Sequence, residues 1–159
     1  MEKYNNQITL AMESRSQNEA LARTVVAAFI APLDPDMDVL TDIKTAVSEA
    51  VTNAVIHGYK NELGKITLAM SLNDGVLHIT VSDQGMGIAN VQQAMEPLYT
   101  TTSPEMERAG MGFTVMESFM DKVVVHSSPG QGTTVEMVKD LSDNRNLSDK
   151  ERAMAWIKP

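Results

Sequence analysis

Glu49, Asn53 and His57 stand four residues apart in the stretch SEAVTNAVIHGY (48–59), which holds no helix breaker before Gly58. On a helix that spacing stacks all three side chains on one face. The apolar residues Val47, Val51, Ala54 and Val55 fall largely on other faces. A carboxylate and an amide offer hard oxygen ligands of the kind Mg²⁺ takes, and a lone Glu can equally serve as a general base. The same spacing describes a plain solvated helix face, so the trio takes its meaning from what accompanies it.

Three further groups accompany it. Asp83-Gln84-Gly85-Met86-Gly87 follows a strand-like run. A carboxylate there can accept a hydrogen bond from an exocyclic amine, and glycines two apart let backbone approach a flat ligand closely. Gly110-Met111-Gly112 reads as the opening of a helix, where free N–H groups suit a phosphate. Arg108 just before it is a cation able to close on a γ-phosphate. Gly132-Thr133-Thr134 begins the last apolar strand, and a Thr hydroxyl there can complete a polar contact to a base. Taken singly, each has an ordinary explanation: a strand-to-loop turn, a surface Arg beside a cap, a strand Thr.

The elements that must hold these groups are legible in outline. Residues 7–13 alternate as an edge strand. Ser16 with Glu19 predicts a capping box opening a helix along Leu21, Val25, Ala28 and Phe29, which stops near Pro32. Asp36 or Asp38 opens a second helix that runs through Leu40, Ile43, Val47, Ala50 and Val51 to Gly58 as C-cap. Strands at 65–72 and 75–83 flank Asn73-Asp74-Gly75, a hairpin signal. Residues 84–112 carry the texture of a functional loop with a short helical piece near 89–95. A helix over about 111–121 and strands at 122–128 and 132–139 end the core. The expected fold is an α/β (α+β) two-layer sandwich, a mixed sheet with helices on one face. One domain, residues 1–140, is followed by a polar tail, 141–159, with a second capping pattern at Ser148 and Glu151 and the single Trp156.

Composition narrows the function classes. A chain of 159 residues suits one domain. The net charge of −8 argues against long-range attraction to nucleic acid, so any bound polyphosphate must be met by local N–H groups, Mg²⁺ and a few placed cations. No cysteine is present, which removes disulfides, thiol catalysis and Cys-ligated zinc. No apolar run approaches a membrane span, and a cytoplasmic protein is expected. The 12 Met residues read chiefly as core.

The order of the four groups is more informative than any one of them. Glu…Asn on a helix, Asp-x-Gly-x-Gly after a strand, Gly-x-Gly, then Gly-x-Thr on a strand resembles the Bergerat ATP-binding fold of histidine kinases, gyrase-type topoisomerases and a heat-shock chaperone, over about residues 8–139. At closer range SEAVTNAVIHGY (48–59), DQGMGI (83–88), EPLYTT (96–101), ERAGMGFTVMESFMD (107–121) and SSPGQGTTV (127–135) resemble the sporulation anti-sigma F factors of endospore-forming bacteria. That resemblance implies a protein serine kinase and anti-sigma factor in one chain. Such a protein binds the sporulation sigma factor as a homodimer and phosphorylates one serine of a small anti-anti-sigma factor.

By the same resemblance Glu49 is the base for the substrate serine and Asn53 the Mg²⁺ ligand. Asp83 accepts from the adenine amine, with Gly85 and Gly87 beneath the base and Thr133 in support. Arg108 is the cation at the γ-phosphate, and Gly110, Met111 and Gly112 form the phosphate turn. His57 is structural, and Arg23 on the first helix contacts a partner. The cofactors implied are ATP or ADP and Mg²⁺; neither nucleic acid nor membrane is an expected partner. The rival reading is an anti-sigma module that binds nucleotide without transferring phosphate. Glu49 argues against it, since a binding-only site needs no base.

Overall fold

A computed structural model describes residues 4–96 and 104–142, of which 104–111 are described by their backbone course alone. The chain runs β1 (Asn6–Glu13), α1 (Gln17–Ile30), a short 3₁₀ turn (Ala31–Leu33), α2 (Met37–Asn53), a π-helical turn (Ala54–Gly58), β2 (Lys65–Asn73), β3 (Val76–Asp83), α3 (Val91–Ala94), α4 (Pro104–Phe119), β4 (Lys122–Ser127) and β5 (Thr133–Asp140).

The five strands lie in the order β1-β2-β3-β5-β4. Alternation decides which face is covered. Ile66, Leu68, Met70 and Leu72 of β2, Leu77, Ile79 and Val81 of β3, and Val135 and Met137 of β5 are buried. Their neighbours Thr67, Ala69, Ser71, His78, Thr80, Thr134 and Glu136 are not. A period of two with one apolar face demands a cover on that face only. The helices supply it through Ala22, Val26, Phe29 and Ile30 of α1, Ile43, Ala46, Val47, Ala50 and Val51 of α2, and Phe113 and Met116 of α4. Helix α2 packs against both α1 and α4 and is the middle of the helical layer. Met12, Met70, Met116, Met120 and Met137 sit in the core, while Met37 and Met86 are exposed.

The α+β two-layer sandwich is as expected, with one difference in the sheet. All four strand pairings are antiparallel, so the sheet is not mixed. The reason lies in the connections. The α1–α2 pair leaves the sheet and returns to it, so β2 runs back against β1. Helix α4 is a crossover that gives β4 the direction of β3, but β5 then folds in between them and pairs with both.

Local signals were honoured unevenly. The β2–β3 turn has Asp74 at φ 53° and Gly75 at φ 85°, two positive values in a two-residue loop, as a type I′ turn requires. The capping box at Ser16 is not made: Ser16 gives no side-chain cap. Glu19 turns instead to α2, where Ser48 Oγ donates to its carboxylate, and to Arg23 Nε at 3.2 Å. Gly58 is not the left-handed cap of α2. The helix instead closes through the π turn, and the left-handed residues come later, Lys60 (φ 49°) and Asn61 (φ 64°). Helix α4 starts at Pro104 rather than near residue 111. Proline suits a first helical turn, where its missing N–H costs nothing. The tail motifs at Ser148, Glu151 and Trp156 lie outside the described residues.

Ile79 is fully buried on β3, between β2 and β5. Ile79→Ala should therefore cost about 2–5 kcal/mol of stability, read as a lower urea midpoint at unchanged slope. A loss under 1 kcal/mol would mean this sheet is not packed as described.

Candidate functional site

The inward positions of the two central strands change character at one end. Along β3 they read Leu77, Ile79, Val81, Asp83, and along β5 Thr133, Val135, Met137, with Asp83 directly opposite Thr133 in the register. A buried carboxylate thus replaces the next apolar residue at the end of an apolar row. Beside it lies a cavity of about 490 Å³, within the range of small-ligand sites. Its walls include Asn53 and His57 from α2 and the π turn, Asp83, Gly87 and Ile88 after β3, Phe113 of α4, and Thr133 and Val135 of β5.

Asp83 is 9% exposed. Burial pushes its carboxyl up from the ordinary value of 3.8, while the backbone N–H groups of Gly85 and Thr133 pull it down. Gly85 N–H donates to Oδ1 at 2.9 Å. The carboxylate keeps lone pairs beyond these contacts, at the wall of the cavity.

The glycines around Asp83 have a role other than lying under a flat ligand. A Cβ on Gly85 would stand 2.1 Å from the Gly58 carbonyl oxygen, and one on Gly87, at φ 73°, would stand 2.0 Å from the Ser128 carbonyl oxygen. Both glycines are needed because other backbone passes there. Met86 N–H donates to Gly58 O at 2.9 Å, and Gly130 N–H donates to Met86 O at 2.7 Å. The end of α2 and the β4–β5 turn therefore grip the loop between them. Gly58 in turn faces the Asp83 carboxylate, where a Cβ would come within 3.0 Å.

On α2, Glu49 and Asn53 do share a face, and it is the face toward α4. A Cβ on Gly112 would lie 3.1 Å from Glu49 Oε2 and 3.1 Å from Asn53 Nδ2. The bare Cα of Gly112 leaves that space open beside both. Asn53 Nδ2 is buried with no hydrogen-bond partner among the described residues, a condition that costs about 1–3 kcal/mol unless a ligand group relieves it.

Gly110, Met111 and Gly112 lie inside α4, not at its N-terminus, so the free N–H groups expected of a helix start are not what they offer here. The side chains of Arg108 and Met111 lie outside the described residues. Thr133 lines the cavity, its Oγ1 2.8 Å from Ser127 Oγ. Arg23 stands apart from the cavity on α1, 43% exposed and paired with Glu19. Sequence reasoning did not single out Tyr59, Ser127 or Phe113. Tyr59 and Ser127 lie within the stretches compared above, but nothing local marks their hydroxyls as contacts of the 84–88 loop.

Comparison with known proteins agrees with this geometry. A model of the histidine kinase-like ATPase domain matches residues 12–139. The chain is 56% identical over 142 residues to the anti-sigma F factor of Caldanaerobacter subterraneus subsp. tengcongensis, covering 89% of this chain and 99% of that one. It is 54% identical over 143 residues to the anti-sigma F factor of Geobacillus sp. (strain WCH70), covering 89% and 97%. Among solved structures, the RsbU and RsbW domains of a Mycobacterium tuberculosis protein superpose with a TM-score of 0.60 at 22% identity, over 86% of this chain and 32% of that one. The blue-light activated histidine kinase of Erythrobacter litoralis superposes with a TM-score of 0.53 at 25% identity, over 71% and 34%.

The raised value of Asp83 carries a pH signature. Folding raises its pKa, so the stability it contributes is complete below 3.8 and is lost as pH rises through the folded-state value. Asp83→Asn removes that dependence. In denaturant titrations without nucleotide the parent should lose stability relative to Asp83→Asn as pH climbs above 3.8. Parallel stability curves would show that the carboxyl is not penalised by burial.

Proposed function

The chain belongs to the anti-sigma F factor family, built on a histidine kinase-like ATPase domain, and from that premise we propose that it is a Mg²⁺- and ATP-dependent protein serine kinase that also holds a sigma factor inactive. An ATPase domain of this kind binds nucleotide. The finer reading assigns the cavity beside Asp83 to adenine, with Asp83 accepting from the exocyclic amine and Thr133 in support.

The observation that carries the kinase reading is the pairing of Glu49 and Asn53 at the bare Cα of Gly112. Asn53 fits a Mg²⁺ site through its amide oxygen, a hard ligand, while its buried Nδ2, without a partner among the described residues, has N–H groups to offer a phosphate oxygen. No group of three or more acidic, His or Cys residues able to hold a metal occurs among the described residues. That is in keeping with Mg²⁺ carried mainly by phosphate oxygens and one side chain. When bound, Mg·ATP supplies the γ-phosphoryl group and the charge neutralisation its transfer needs. Glu49, one helical turn from Asn53, would accept the proton of the substrate serine hydroxyl as the serine oxygen bonds to the γ-phosphorus and the bond from that phosphorus to the β–γ bridging oxygen breaks, ADP leaving with the electron pair. Transition states of this type are loose, so positioning matters more than the base. Arg108 is assigned to the γ-phosphate, and Gly110, Met111 and Gly112 to the phosphate-side contact.

Two partners belong to this reading, of which the name of the relatives, anti-sigma F factor, supports a sigma factor. They are a sporulation sigma factor, met in part through the half-exposed Arg23 on α1, and an anti-anti-sigma factor that supplies the serine. A homodimer acting in the cytoplasm is part of the same reading.

Glu49→Gln keeps size and helix position and removes the base. Single-turnover transfer of labelled phosphate to the anti-anti-sigma factor should fall by about 10²–10⁴-fold, nearer the lower end. Mg·ADP binding by calorimetry and sigma-factor binding should hold. Unchanged transfer would remove Glu49 from the chemistry. A parent that binds nucleotide and sigma factor yet transfers nothing would make the protein a binding module.

A further inference from the structure

The loop that carries the proposed adenine contacts, residues 84–88, is held at both ends by side-chain hydroxyls from outside it. At its start Gln84 N–H donates to Tyr59 Oη at 2.7 Å. Tyr59 Oη donates in turn to Lys65 O at 2.6 Å, and its ring lies over Gly64, where a Cβ would stand 2.2 Å from the ring carbon Cε1. At the loop's end Ile88 N–H donates to Ser127 Oγ at 2.7 Å. Between the two, Gly85, Met86 and their partners make the main-chain contacts described above.

The proton count fixes what each hydroxyl can do. A phenol has one proton to give. Lys65 O can only accept and Gln84 N–H can only donate, so Tyr59 is committed to these two backbone groups and directs no proton into the cavity. Ser127 Oγ touches three groups: Ile88 N–H, which can only donate, Gly132 O at 3.0 Å, which can only accept, and Thr133 Oγ1 at 2.8 Å. The assignment that satisfies all three has Ser127 donating to Gly132 O and Thr133 donating to Ser127. Thr133 then turns lone pairs, not a proton, toward the cavity. Asp83 also presents an acceptor there. A wall of two acceptors favours a ligand edge that carries an amine and opposes one that carries a carbonyl.

We propose that Tyr59 and Ser127 are positioning residues for base selection: Tyr59 fixes the loop next to Asp83, and Ser127 fixes its far end while setting the direction of the Thr133 hydroxyl. Neither touches the nucleotide. The proposal rests on the adenine reading of the cavity and adds to it the two groups that make the cavity choose an amine over a carbonyl.

Inosine diphosphate carries a carbonyl in place of that amine and a proton on the neighbouring ring nitrogen. Affinities of Mg·ADP and Mg·inosine diphosphate are to be measured by calorimetry for the parent, Tyr59→Phe and Ser127→Ala, with thermal unfolding of each protein without nucleotide to confirm a folded state. Tyr59→Phe keeps the ring over Gly64 and removes only the hydroxyl, and Ser127→Ala tests the other end of the loop independently. The parent should prefer ADP. Each variant should lose about tenfold in ADP affinity, the scale of one hydrogen bond to a charged group, while inosine diphosphate changes less than twofold, so that selectivity shrinks. Equal losses for both nucleotides would reduce Tyr59 and Ser127 to structural residues and overturn the proposal. So would folded variants with the parent's selectivity, which would leave the adenine reading standing. A parent that binds both nucleotides equally would overturn the adenine reading and this proposal together.

Discussion

Everything at the site depends on two stretches of main chain meeting with no side chain between them. The Gly58 carbonyl, at the end of the π turn, accepts from Met86 N–H across the space that a Cβ on Gly85 would fill. This contact joins the helix that carries Glu49 and Asn53 to the loop that follows Asp83. A backbone bond in a half-buried position is rigid because breaking it strands two polar groups. It can form here because glycine lets the chains come that close. The π turn belongs to the same arrangement: five residues at the end of α2 are wound wider than an α-helix, and this brings Gly58 over the Asp83 carboxylate. Such turns recur at functional sites for this reason.

The buried carboxylate sets the second constraint. An Asp at the end of an apolar inward row is a cost to the fold, partly offset by two backbone N–H groups. In the proposed function that cost is met by the ligand amine Asp83 would accept from. The unpartnered amide nitrogen of Asn53 is a cost of the same kind. A fold that keeps both places a buried carboxylate and an unpartnered amide nitrogen at one cavity, and Tyr59, Ser127 and the glycines hold the loop that lines it.

How much of this could be read from the chain depends on the range of each interaction. The type I′ turn at Asp74-Gly75 and the helical faces of α1 and α2 are local, and the residues themselves display them. The stacking of Glu49 and Asn53 is likewise a property of one helix. The capping box at Ser16 is not made because Glu19 turns to Ser48 on α2, a tertiary partner that its own neighbours do not reveal. The glycines at 110 and 112 suggested a helix start because glycine is a poor helix former. Gly112 is instead inside α4, where a Cβ would crowd the side chains of Glu49 and Asn53 on α2, residues about 60 positions away in the sequence. The sheet order was hidden for the same cause: no local pattern shows that β5 enters between β3 and β4. Tyr59 and Ser127 went unnoticed because their roles come from register, not from residue type.

The order β1-β2-β3-β5-β4 also governs when the protein can exist during its own synthesis. Among the described residues strand β4 pairs only with β5, and β3 keeps an open edge until β5 arrives. The first three strands and two helices can assemble early, but Asp83 meets Thr133 only after residues near the far end of the domain have left the ribosome. Contacts so distant along the chain close slowly. A nascent chain that lacks β5 lacks Thr133 and Val135 of the cavity wall, and its β4 has no partner strand to hold Ser127 against residues 84–88. The completed cavity is thus a late product of translation, closed only when its last strand joins the sheet.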